Sequence, residues 1–150
     1  MTLIDANLLL YAAIRSFPEH DTARAWLDSR LNGTVKVGLP WPSVLAFVRL
    51  ASNRRVFARP LRVAEAWAQA TTWLNLETVW MPAPTDEHPK ILGAVLADVG
   101  NDAELVPDAH LAALAIEHGL TLMSAGRDFA RFRGLTWENP LSSRSLYREV

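Results

Sequence analysis

The strongest constraint on this chain is the alternation of short, mostly apolar runs with segments of helical period. The runs stand at Thr2 to Ile4, Val35 to Leu39, Thr78 to Met81, Leu120 to Met123 and Leu135 to Trp137, and each is too short for a buried helix. Between them, Asn7 to Ile14 is apolar enough for a buried helix. Pro18 to Leu31 places Ala23, Trp26, Leu27 and Leu31 at helical spacing, with Gly33 just past its end. Pro42 to Ala51 and Arg62 to Leu76 are helical by pattern, separated by an arginine-rich loop that closes on Arg59-Pro60. Glu87 to Val99 and Asp108 to His118 complete the set, the latter ended by Gly119. Strands alternating with helices imply an α/β architecture: a mainly parallel central sheet of about four to five short strands flanked by helices. With no internal repeat, low-complexity tract or long linker, residues 1–150 read as a single domain. A chain of that length buries roughly two-thirds of its extended surface and needs no staples.

Composition narrows the chemistry. The absence of cysteine removes disulfides, thiolate metal sites, Fe–S clusters and cysteine nucleophiles, and suits a reducing cytoplasm, the expected location. The N-terminus lacks a basic region, and Asp5 and Asn7 break its apolar run, so no signal peptide is expected. No apolar stretch approaches the ~20 residues of a membrane span. Phosphate-binding GxxxxGK[ST] and dinucleotide-binding GxGxxG patterns are missing, and Ser43 and Ser124 lie in no Gly-x-Ser-x-Gly elbow. His20, His88, His110 and His118 show no metal-ligand spacing and read as surface or satisfied core histidines. Of the tryptophans, Trp26, Trp67 and Trp73 fall within helical patterns and read as core or interface anchors. The net charge of −1 argues against gripping nucleic acid by bulk charge alone. Lys36 and Lys90 are the only lysines, however, and the arginines group as Arg49, Arg54, Arg55, Arg59 and Arg62 and as Arg127, Arg131 and Arg133. Their planar forks match phosphate, against the plainer reading of a solvated rim.

The carboxylates carry the functional reading. Sites in open parallel sheets form beyond the C-terminal strand ends. Asp5 follows the first strand, Ser124 to Asp128 follow the strand at Leu120 to Met123, and Asp108 opens a helix, so three acidic positions far apart in sequence can meet at one edge. Clustered aspartates suit Mg²⁺, which takes oxygen ligands, keeps several waters and is typically held by one or two carboxylates plus a substrate phosphate. A phosphodiester is the natural substrate for such a centre. Each aspartate also has a purely structural role open to it: Asp5 as a helix N-cap, Asp108 as a first-turn residue favoured by the helix dipole, and Asp128 as the cap of a short turn with Phe129 and Phe132 packed inward. Against the first stands the cost of an unpaired carboxylate between an apolar strand and an apolar helix.

At these residues the sequence resembles the PIN-domain family, specifically the ribonuclease toxins of VapBC toxin–antitoxin systems. The segments that carry the resemblance are Leu3-Ile4-Asp5-Ala6-Asn7-Leu8-Leu9-Leu10-Tyr11, the stretch from Trp41 to Asn53, Val106-Pro107-Asp108-Ala109-His110-Leu111, and Leu122 to Phe132 with its Ser124-Ala125-Gly126-Arg127-Asp128-Phe129 core. The resemblance implies a Mg²⁺-dependent ribonuclease, with Mn²⁺ an alternative metal. Asp5 and Asp108 would be metal ligands, Asp128 a third catalytic carboxylate, and Asn7, Ser124 and Gly126 supporting positions. Arg49, Arg54, Arg55 and Arg127 would guide RNA. A VapB-type antitoxin would be the partner and a homodimer the assembly; transfer, ribosomal and messenger RNA fit equally as targets.

The chain departs from the family pattern twice. An acidic residue expected just before an arginine like Arg49 is replaced at Ala46 and Phe47, and another expected two positions before the Asp-Phe pair is Gly126. Asp102 and Glu104, which precede Asp108, are further acidic candidates. At Gly126 two outcomes stand open: a vacant carboxylate position, or a glycine required by positive φ. The alternatives to an active nuclease are a catalytically weakened PIN domain that binds RNA or an antitoxin, and a structural α/β domain whose aspartates only cap helices.

Overall fold

The computed structural model describes residues 1–142; residues 143–150 of the expected single domain lie outside the described part. Five strands, β1 (Thr2–Ile4), β2 (Val37–Gly38), β3 (Val79–Trp80), β4 (Thr121–Met123) and β5 (Trp137–Glu138), alternate with helices α1 (Ala6–Ala13), α2 (His20–Leu31), α3 (Trp41–Ala51), α4 (Val63–Leu74), α5 (His88–Ala97) and α6 (Val106–Glu117). The strands form one parallel sheet in the order β3-β2-β1-β4-β5.

Both faces of this sheet are covered, so its strands read as unbroken apolar runs. Alternate side chains divide between the faces. Ile4 and its ladder partner Met123 join Leu8, Leu9, Val44, Phe47 and Trp73 in one core layer, whereas Leu3 and its partner Leu122 join Ala112, Leu114 and Phe129 in the other. The first layer is built by α1 to α4 and the second by α5 and α6.

Local signals account for the helix ends. Pro42, Pro89 and Pro107 occupy the first turns of α3, α5 and α6, where a missing N–H costs nothing. Gly119, at φ 65°, closes α6: the Gly119 N–H donates to the Ile116 carbonyl and the Leu120 N–H to the Ala115 carbonyl at 2.8 Å. This left-handed cap turns the chain directly into β4.

Several expected boundaries shift. Val35, read as strand, is 55% exposed and precedes the shorter β2; the last strand lies at Trp137–Glu138 rather than Leu135 to Trp137. Helix α6 begins at Val106, which makes Asp108 its third residue rather than its first. Phe129 and Phe132 do pack inward, at 2% and 3% exposure. Among the described residues no helix is long and apolar enough to cross a membrane.

Candidate active site

The sheet order reverses between β1 and β4. The chain leaves β1 toward β2 and β3 on one side and returns to β4 on the other, which makes the C-terminal ends of β1 and β4 the switch point where such sheets open a crevice. Asp5 follows β1 there and Ser124 follows β4.

A continuous hydrogen-bond network joins the two ends. The Asp5 carboxylate accepts from the Ala6 N–H at 2.8 Å through Oδ1 and from the Ser124 hydroxyl at 2.7 Å through Oδ2. The Ser124 Oγ in turn accepts from Asn7 Nδ2 at 3.1 Å and from the Gly126 N–H at 3.0 Å. Asn7 Oδ1 accepts from the Ala125 N–H at 3.3 Å. With one proton donated and two lone pairs engaged, the Ser124 hydroxyl is saturated, and its residue is fully buried. Trp137 adds a further support by donating Nε1 to the Ser124 carbonyl at 2.9 Å. Asp5 is thus an N-cap of α1 through one oxygen and the anchor of the β4 loop through the other, so the capping role and the site role coexist in one side chain.

The electrostatics are strained. Burial pushes the Asp5 carboxyl up, partly offset by the bonds from Ser124 and Ala6. Asp108 is pushed up to about 6, first by burial and then by the negative charges of Asp5 and Asp128. The three carboxylates therefore share one field, although Asp128 itself is exposed in the short turn Arg127–Arg131. Asp102 and Glu104, the further candidates, sit in the turn that precedes α6. Asp102 Oδ1 accepts from the Glu104 N–H at 3.2 Å as the cap of the turn Ala103–Leu105.

All three carboxylates offer hard oxygen donors, and a cation among them would relieve both the burial and the mutual repulsion. Among the described residues no three acidic, imidazole or thiolate side chains close into a preformed cage. Carboxylate oxygens are donors of the kind a hard cation takes, and such an ion is typically held by one or two carboxylates with the rest of its shell water.

Asp108 supplies a pH test that needs no metal. Its unfolded pKa is ordinary, about 3.9, so the folded state holds the Asp108 proton more tightly. The resulting stabilisation is fully present below about pH 4 and is lost as pH rises through about 6. Metal-free Asp108→Asn is expected to melt above the parent near neutral pH, with the gap closing toward about pH 4. The lost helix-dipole contribution works in the opposite direction but is smaller at a group strained by two like charges. Equal melting at neutral pH, or a lower value for the variant, would show that the carboxyl is not strained.

The remaining expected site residues separate. Gly126 lies in extended backbone, φ −79° and ψ 122°, which removes the positive-φ explanation for a glycine there. Phe47 is fully buried and packs on Trp73 with ring centroids 4.9 Å apart; this position belongs to the core. Arg127 directly follows Gly126 and is exposed. Arg54 and Arg55 are exposed and follow the C-terminal end of α3, roughly 15 Å along that helix from its start. Arg49, exposed in the last turn of α3, lies between.

The histidines are satisfied structurally. His88 bridges Glu117 at 3.0 Å and His110 at 3.1 Å between α5 and α6, and His20 Nδ1 bonds the Tyr11 carbonyl at 2.9 Å. Trp137 was not recognisable as a site support, because its bond to Ser124 depends on β4–β5 pairing that no local pattern carries.

Comparison with known proteins follows the same lines. The family model described as PIN domain matches residues 2–135. Ribonuclease VapC37 of Mycobacterium tuberculosis is 44% identical over 140 residues, covering 93% of this chain and 97% of that protein. Ribonuclease VapC33 of Mycobacterium tuberculosis is 39% identical over 141 residues, covering 94% and 99%. Among solved structures, VapBC2 from Rickettsia felis bound to a DNA fragment from its promoter aligns with a TM-score of 0.66 at 14% identity, over 92% of this chain and 97% of that one; at that identity the likeness is one of fold.

Proposed function

From the premise that this chain belongs to the PIN-domain family, we propose that it is a metal-dependent ribonuclease, the toxin of a toxin–antitoxin pair, hydrolysing RNA phosphodiesters at the β1–β4 crevice. The observation that carries the reading is the Asp5–Ser124–Asn7–Gly126 network at the sheet's switch point, with Asp108 raised by burial and then by Asp5 and Asp128. Named relatives that match over nearly their whole length are ribonucleases.

In this reading Asp5 and Asp108 hold Mg²⁺, with Mn²⁺ an alternative. Bound there, the ion would lower the pKa of a coordinated water and offset charge on the phosphate. The chain's own residues do the rest. Ser124 fixes the Asp5 carboxylate in one orientation, and Asn7 fixes the loop that carries Gly126 and Asp128. Asp128, exposed and within the field of Asp108, is placed to accept a proton from water. Arg127 stands beside the phosphate path as a forked donor. A VapB-type antitoxin as partner and a homodimer as assembly belong to the same proposal, as does a cytoplasmic location.

Incubating the purified chain with labelled RNA and Mg²⁺, with and without chelator, tests the activity directly. Chelator-sensitive cleavage is the expected outcome; cleavage that persists in chelator removes the metal. The second reading, an RNA-binding domain of weakened catalysis, draws support from fully buried Phe47 and from Gly126, two places without the carboxylates the family pattern expects. Tight RNA binding without cleavage at any Mg²⁺ concentration would favour it.

The arginine assignments separate in the same assay. Arg127→Ala is expected to weaken RNA binding and reduce the slope of log affinity against log salt by about one, the effect of one lost phosphate contact. Arg54→Ala with Arg55→Ala is expected to leave cleavage close to the parent at low salt. A large loss in the latter pair would extend the RNA path along α3.

A further inference from the structure

Two tryptophans break the rule that large rings go inside. Trp41 is 48% and Trp67 42% exposed, while Trp73, further along α4, is buried against Phe47. Of the two roles open to Trp67, core or interface anchor, its exposure excludes the core. The Trp41 and Trp67 planes lie within 11° of parallel, with centroids 6.4 Å apart. They form an aromatic stack that is open to solvent on a surface of the monomer.

The fold puts this stack on the catalytic edge. Strand β2 pairs with β1 at Thr2–Val37 and Leu3–Gly38, so continuing the register brings Pro40 level with Asp5, one strand spacing of about 4.8 Å away. Trp41 follows Pro40 as the first residue of α3. Side chains on a helix lean toward its N-terminus, and the Trp41 ring rests against Trp67 of α4. Arg49 is exposed eight residues on, on the same helix face as Trp41 and Leu45, about 12 Å along the axis.

We propose that the Trp41–Trp67 pair is a stacking subsite for an unpaired nucleobase of the RNA that reaches the Asp5–Asp108 edge, an inference that rests on the ribonuclease reading above. Near-parallel flat faces suit a base, which every nucleotide presents irrespective of sequence. Arg49 offers a cation for a neighbouring phosphate along the same face. Bases inside an A-form duplex have no free face, so the subsite selects single-stranded segments or loops over duplex.

The test uses metal-free protein, so that binding is read without cleavage. A labelled single-stranded oligoribonucleotide of mixed sequence is titrated with the parent, with Trp41→Ala/Trp67→Ala and with Trp41→Phe/Trp67→Phe, each checked by thermal melting. The alanine pair is expected to bind about tenfold more weakly and the phenylalanine pair, which keeps flat rings, within roughly threefold of the parent. An oligomer of the same length lacking its bases is expected to bind all three alike, and a duplex to show little difference among them. With Mg²⁺ present, the alanine pair should raise KM and leave kcat unchanged. If the double variant does not fold, the single Trp41→Ala change carries the same comparison. A folded alanine variant that binds the single strand as the parent does overturns the subsite, and so does one that leaves RNA binding intact but alters the oligomeric state, which would give this face to a protein contact. Where the parent cleaves RNA and the alanine pair binds it normally, only the subsite falls; where the parent neither binds nor cleaves any RNA, the ribonuclease reading falls first.

Discussion

Asp5→Asn is expected to reduce RNA cleavage by roughly 100-fold or more, the scale on which loss of one fixed electrostatic group acts in a catalytic site. The charge is only part of the reason. Asp5 receives the Ser124 hydroxyl at 2.7 Å while that hydroxyl already accepts from Asn7 and the Gly126 N–H. An asparagine presenting its carbonyl to Ala6 would aim an NH₂ at an oxygen with no free lone pair, so the β4 loop must shift or the new amide must turn away. Ser124→Ala, which leaves the carboxylate but frees its orientation, is expected to cost about 10–100-fold, as loss of a supporting partner around a metal ligand does. Because the two act through one group, the double variant should be no worse than Asp5→Asn alone. Single-turnover cleavage of labelled RNA by the four proteins decides the matter. Activity of Asp5→Asn within about threefold of the parent would remove Asp5 from the chemistry, and strictly multiplicative losses would show that Ser124 does not act through it.

Gly126→Asp is expected to lower the Mg²⁺ concentration for half-maximal cleavage by about tenfold. The backbone permits it, since φ −79° and ψ 122° suit any residue. A Cβ at this position meets Ser124 Oγ at 3.4 Å, Asn7 Nδ2 at 3.7 Å and Phe129 Cδ2 at 3.7 Å, all ordinary contacts. The added carboxylate would thus start beside the two side chains that hold Asp5 in place. In the absence of metal its effect on stability has two opposing parts, repulsion from Asp5 and capping of the turn Arg127–Arg131, for which Gly126 is the cap residue. The informative quantity is therefore the rise in melting temperature on adding Mg²⁺, which grows with metal affinity. It should be larger in the variant than in the parent, and the gain should vanish in the Asp5→Asn background. A variant that folds normally yet keeps the parent's metal requirement and melting shift would exclude this position from the metal site and leave Asp128 as the third carboxylate.

What was legible in the residues themselves is the part of the structure that local pattern encodes. The α/β class and the parallel sheet followed from short apolar runs between helical periods, because a sheet covered on both faces leaves no polar alternation in its strands. Asp5, Asp108 and Asp128 stood out because they sit at a strand end, a helix start and the loop after a strand. The family resemblance added Asn7, Ser124 and Gly126, and each lies in the hydrogen-bond network or its loop. Local pattern was weakest at the short strands, where β2 shrank to Val37–Gly38 and β5 moved to Trp137–Glu138; strands so short are defined by their partners more than by their own residues.

Tertiary structure alone decided the rest. Asp5 and Ser124, 119 positions apart, meet only because β1 and β4 are neighbours in the order β3-β2-β1-β4-β5. The elevated pKa of Asp108 comes from burial and from charges on two other segments. The same holds for the arginines and tryptophans. Arg54 and Arg127 look alike in sequence, yet one follows the C-terminal end of α3 and the other the loop that leaves β4. Trp67 and Trp73 share a helical pattern, yet only Trp73 meets Phe47 across the helix interface while Trp67 stays at the surface beside Trp41. Periodicity reports which residues share a face of an element, but what that face meets, whether core, solvent or another carboxylate, depends on how all the elements pack, and that information is distributed over the whole chain.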